Sequence, residues 1–146
     1  MNPVLEIALW GLALVACLIA SGVISGAEIG LYSLNKVRLS LKAATGDVRA
    51  RVIATELSRP DRLLAMLLIS NNVVHYLSAA AMTAILSHEG LSAGAVAIWS
   101  SVVLTPVLFV LGEAMPKELF RVHADRLTYV IAIPLRALRV LLTVTG

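Results

Sequence analysis

Among the polar side chains within or at the edge of long uncharged runs, four could bind an ion: Ser21, Ser25, Asn71 and Glu113. Ser21 and Ser25 lie four residues apart in Ser21-Gly22-Val23-Ile24-Ser25-Gly26-Ala27-Glu28, so a helix puts both hydroxyls on one face. Asn71 belongs to the triplet Ser70-Asn71-Asn72. Adjacent side chains on a helix stand about 100° apart, so the two amides cannot both meet one partner. Glu113 closes an uncharged run in Gly112-Glu113-Ala114-Met115-Pro116-Lys117. Pro106 and Pro116 each withhold a backbone donor and free carbonyl oxygens nearby. Hydroxyls, an amide oxygen, one carboxylate and freed carbonyls form an all-oxygen set. Such a set suits Mg²⁺, Ca²⁺ or Na⁺ rather than zinc or copper.

Each of these residues also has a purely structural reading. Gly22, Gly26 and Gly30 make a small-residue ridge of the kind that lets two helices approach, with the serines bonding back to their own carbonyls. The asparagines could form interhelical amide bonds, and His75 could be a packed neutral imidazole. Glu113 could pair with Lys117 at i,i+4, although Pro116 between them works against regular helix geometry. Cys17 stands alone in an apolar run and reads as a small buried hydrophobe.

The elements that must position these groups follow from composition. The chain has 146 residues, 59% of them hydrophobic and 14% charged. Soluble domains are usually about 45–50% apolar and about 25% charged. Mean hydropathy is +0.89. Three stretches, 7–27, 63–88 and 90–112, contain no Asp, Glu, Lys or Arg. Each is long enough to cross a bilayer as a helix, which takes roughly 20 residues. Helix is required there because lipid cannot satisfy open backbone hydrogen bonds. The expected spans are about 5–28, 63–87 and 91–112.

Basic residues set the expected orientation. Lys36, Arg38, Lys42, Arg49, Arg51, Arg59 and Arg62 lie between the first and second spans, and the other five follow the third. The positive-inside rule then predicts an outside N-terminus and a cytoplasmic 36–62 loop and C-terminus. From Glu28 to about Thr45 the chain reads as a continuation of the first helix, ended by a Gly46-Asp47 turn. The segment 127–146 is apolar but carries Pro134, Arg136 and Arg139. A central arginine costs about 2.5–3.5 kcal/mol on insertion scales. Interfacial helices over about 117–145, with snorkelling arginines, are therefore preferred to a fourth span. The fold expected is all-α and integral to the membrane.

At these residues the chain resembles the transmembrane domain of the CNNM/CorC magnesium-transporter family, over essentially its whole length. The resemblance rests on Ser21-Gly22-x-x-Ser25-Gly26-x-Glu28, Leu67-Leu68-Ile69-Ser70-Asn71-Asn72 and Gly112-Glu113-x-x-Pro116-Lys117, the last being the most specific. It implies three spanning helices, a belt of juxtamembrane helices and a homodimer in the plasma (inner) membrane. It also implies Mg²⁺ export, with Na⁺ entry as the coupling step proposed for the family. Ser21, Ser25, Asn71, the Gly112 carbonyl and Glu113 match its Mg²⁺-site motifs. Two departures stand out: His75 where the family often has a second Asn, and Ala114-Met115 in place of an aliphatic pair. The family's ATP-binding CBS domains are absent from 1–146 and are expected only in a longer chain.

Rival functions are weaker. A membrane module that senses ions or assembles without moving them is the main alternative. An intramembrane zinc protease would need His where Ser92 stands after His88-Glu89, and Gly22-Val23-Ile24-Ser25-Gly26 misses the G-x-S-x-G elbow. No enzyme is expected. Nucleic acid is not expected either, since the basic loop has no interleaved aromatics; anionic lipid head groups are its expected partners.

Overall fold

The computed structural model describes residues 2–145, and every element among them is helical. Met1 and Gly146, the two ends of the expected domain, lie outside the described residues. Helix α1 spans Pro3–Ser33, started by the Asn2 side chain accepting from the Val4 amide. Helices α2 (Lys36–Ala44) and α3 (Val48–Leu57) follow, then α4 (Pro60–His88). Helix α5 (Ala93–Val107) passes without a break into a π-helical stretch, Leu108–Ala114, and on into α6 (Met115–Val122). Helices α7 (Ala124–Val130) and α8 (Ala132–Thr145) close the chain.

Three helices are long and apolar enough to cross a membrane: Pro3–Ser33, Pro60–His88 and the continuous Ala93–Val122. Each outlasts its expected span, because uncharged composition marks hydrocarbon depth while capping and proline set helix ends. The third runs to Val122 rather than stopping at Gly112, since Pro116 falls in the first turn of α6, where its missing N–H is tolerated. Residues 117–122, expected as the start of the interfacial helices, are therefore continuous with the third long helix. Helices α7 and α8 meet at a 48° bend, and together they would make a fourth apolar span only if counted as one.

The first helix does not continue to Thr45. It stops at Ser33, and the Asn35 side chain accepts from the Val37 and Arg38 amides to start α2 afresh. A free-standing amide before Lys36 competes with the helix it interrupts. Asp47 likewise starts α3, after Gly46 takes a left-handed φ of 94°.

The buried apolar cluster gathers at one end of the bundle. Ile24, Ala27 and Leu31 of α1 meet Leu63 and Leu67 of α4, Ile53 of α3, Phe120 of α6 and Ala132 and Leu135 of α8. The opposite half of α1 contributes no buried residue before Ser21. Large apolar side chains there point outward, Leu12 being 67% exposed and Ile19 64%. Apolar groups outside and hydroxyls inside invert the soluble pattern, as a lipid solvent requires.

Candidate ion site between the three long helices

Ser21 is the focus. Its side chain is fully buried, and its Oγ lies 3.3 Å from Asn71 Oδ1, 3.4 Å from the Gly112 carbonyl oxygen and 3.1 Å from His75 Nε2. Those partners come from α4 and from the π-helical stretch, so one hydroxyl of α1 touches both other long helices. A hydroxyl has a single proton to donate. It cannot satisfy an amide oxygen and a carbonyl oxygen at once. The Ser21 proton therefore serves at most one of these two oxygens, and the other is open to a small hard cation.

The π-helical stretch explains why a carbonyl is available. Pro106 and Pro116 bracket it, and each lacks the N–H that an α-helix would give to the carbonyl four residues earlier. For Pro116 that carbonyl is Gly112. The Met115 amide instead bonds back to Val110, five residues away. Gly112 also permits the close approach, because a Cβ there would lie 3.0 Å from Ser21 Oγ and displace it.

Glu113 follows on the same stretch, half-buried, with Oε1 3.6 Å from His75 Nε2. Its expected structural partner is elsewhere: Lys117 Nζ lies 3.8 Å from Glu28 Oε2 of α1. Ser25, one turn below Ser21, has a buried hydroxyl with no hydrogen-bond partner among the described residues. A cavity of about 280 Å³ beside it is lined by Ser25, Glu28, Leu64 and Asn71. The serines do not bond back to their own helix, whereas Ser70 and Ser78 of α4 do, to Met66 and Val74.

The glycine ridge serves packing. Cβ atoms at Gly26 and Gly30 would collide with the Phe120 ring, and one at Gly22 would press on Pro116 at 3.1 Å. This ridge clamps α6 onto α1 and fixes the height of Gly112 against Ser21.

Asn71 and Gly112 are thus both in reach of Ser21, Glu113 joins them through His75, and Ser25 borders the adjoining cavity. Asn72 is exposed. Sequence reasoning undervalued His75, which the i,i+4 spacing from Asn71 could have flagged, and passed over Glu28 as a cavity wall. Among the described residues no three of His, Cys, Asp and Glu cluster as a metal-binding group. The donors here are mainly neutral oxygens.

The family model described as cyclin M transmembrane N-terminal domain matches residues 12–145. A UPF0053 protein of Haemophilus influenzae is 36% identical over 116 residues, covering 80% of this chain and 27% of that protein. The UPF0053 inner membrane protein YfjD of Escherichia coli K12 is 34% identical over 122 residues, 84% of this chain and 28% of its own length. A UPF0053 protein of Synechocystis, sll1254, is 27% identical over 131 residues, 90% and 37% respectively. The chain thus spans between about a quarter and somewhat over a third of the curated relatives it matches.

Proposed function

Because the chain belongs to the cyclin M (CNNM/CorC) transmembrane family, a family of multi-pass membrane transporters rather than enzymes, we propose that it carries Mg²⁺ out across the membrane. Its path runs through Ser21, Ser25, Asn71, the Gly112 carbonyl and Glu113. The supporting observation is the convergence at Ser21 of side-chain and carbonyl oxygens from all three long helices. Mg²⁺ demands near-octahedral oxygens and dehydrates reluctantly. Neutral oxygens plus one carboxylate would replace part of its water shell yet let the ion go.

In the proposed orientation the N-terminus is outside and the arginine-rich end faces the cytoplasm, in accord with the basic residues of 36–62. The cavity between Ser25, Glu28 and Asn71 then forms the inner approach to the site. Na⁺ entry would drive export, and two copies would form the working unit in the plasma (inner) membrane.

Liposomes holding the purified chain and a Mg²⁺-sensitive dye test this reading. Mg²⁺ flux above empty liposomes supports transport, and its acceleration by an opposing Na⁺ gradient supports coupling. Thermal stabilisation by Mg²⁺ without flux would instead favour a sensing module.

A further inference from the structure

A second polar cavity lies away from the ion site, where α3, the start of α4 and α8 converge. It encloses about 450 Å³ between Glu56, Arg59, Arg62 and Arg139. A neighbouring cavity of about 300 Å³ shares Glu56 and Arg139 and adds Arg51 and Arg136. Five guanidinium groups thus surround one carboxylate. Glu56, 7% exposed, is already engaged by Arg139 at 2.8 Å. Arg59, Arg62 and Arg136 make no ion pair among the described residues.

The other donors are spoken for. Thr55, Ser58 and Thr143 give their protons to carbonyls of their own helices, and Arg51 Nε donates to the Ala43 carbonyl. What faces the cavity unmatched is planar, permanently charged guanidinium, the group best fitted to phosphate oxygens.

The depth of the cavity selects among phosphates. Arg59 immediately precedes α4 and Arg62 lies in its first turn, so the cavity sits where a spanning helix enters the hydrocarbon. Ile133, Val140 and Val144 of α8 are exposed and apolar, at 60%, 51% and 80%. A ligand with an anionic head and apolar tails would satisfy both surfaces.

We propose that this cavity binds the phosphate of an anionic phospholipid head group, seated between Arg59 and Arg62, with the acyl chains along α8. The Glu56–Arg139 pair positions α8 against α3 and so shapes the cavity wall.

Native mass spectrometry of the full chain in neutral detergent tests this with three probes: phosphatidylglycerol, phosphatidylcholine and inorganic phosphate. Phosphatidylglycerol is expected to stay bound and phosphatidylcholine to be lost. Each arginine removed should weaken binding about fivefold, so Arg59→Gln with Arg62→Gln gives the larger loss and Arg62→Gln alone the smaller. Arg62→Gln keeps the test open if the double variant fails to fold. Arg126→Gln, an exposed arginine outside both cavities, should bind as wild type. Equal retention of the two lipids, or an equal loss in Arg126→Gln, overturns the proposal. Inorganic phosphate that binds alone and displaces the lipid would give the site to soluble phosphate and overturn the lipid assignment.

Discussion

Lys117 reaches across to Glu28 of the first helix, at 3.8 Å, and leaves Glu113, one turn back on its own helix, without its lysine. A carboxylate neutralised by a lysine would have little field left for a cation. By pairing with Glu28 instead, Lys117 ties α6 to α1 and leaves Glu113 beside His75 and the Ser21 cluster.

Glu113→Ala is therefore expected to reduce Mg²⁺ flux in liposomes to the level of empty vesicles. Fold and oligomeric state should persist, because Glu113 is half-buried and packs no core. Circular dichroism and size-exclusion chromatography check the second half. Wild-type flux from this variant would remove Glu113 from the path.

Gly112→Ala tests geometry rather than charge. The added methyl would lie 3.0 Å from Ser21 Oγ and push the hydroxyl away from Asn71. Misplacing a ligating group by a fraction of an ångström should lower flux about tenfold or more. Melting temperature should fall only slightly, since the flexible Ser21 side chain can yield.

Gly26→Ala should destabilise by about 1–3 kcal/mol, because the methyl overlaps the Phe120 ring. Adding Phe120→Ala should give a smaller loss than the two changes summed. Thermal unfolding in detergent measures both, and strict additivity would mean that the contact is not what fixes the two helices.

Arg139→Gln strips the partner from a carboxylate that is 7% exposed. Breaking a fully buried pair costs about 3–5 kcal/mol, and the half-exposed arginine lowers the expected loss to about 1–3 kcal/mol. Pairing it with Glu56→Gln should restore much of the stability. No recovery would show that Arg139 acts through packing alone.

The spans were legible because charge is so costly in lipid that uncharged runs of 21 residues and more announce themselves. The candidate ligands were legible for the same reason: Ser21, Asn71 and Glu113 are conspicuous against Leu, Val and Ala. Other features carry no such signal. Pro106 and Pro116 indicated a broken helix, but a π-helical stretch keeps the chain helical by shifting its bonds one residue, which local composition does not announce. The Lys117–Glu28 pair joins residues 89 positions apart, so it appears only once α1 and α6 are packed. The stop at Ser33 was written in Asn35, a capping residue hidden beside the polar sequence that follows it.

The one-ended distribution of buried residues along α1 divides that helix and its neighbours into two regimes of inheritance. Around Gly26, Leu31, Ile53 and Phe120, substitutions meet a neighbour and must fit a shape. Along Leu5, Leu12, Val15 and Ile19, which face outward, a substitution need only stay greasy. Ser21 marks the border between them. Descendants of this chain can rewrite the outer reach of the first helix almost freely, while drift beyond Ser21 is held by the interlock of Gly26 with Phe120.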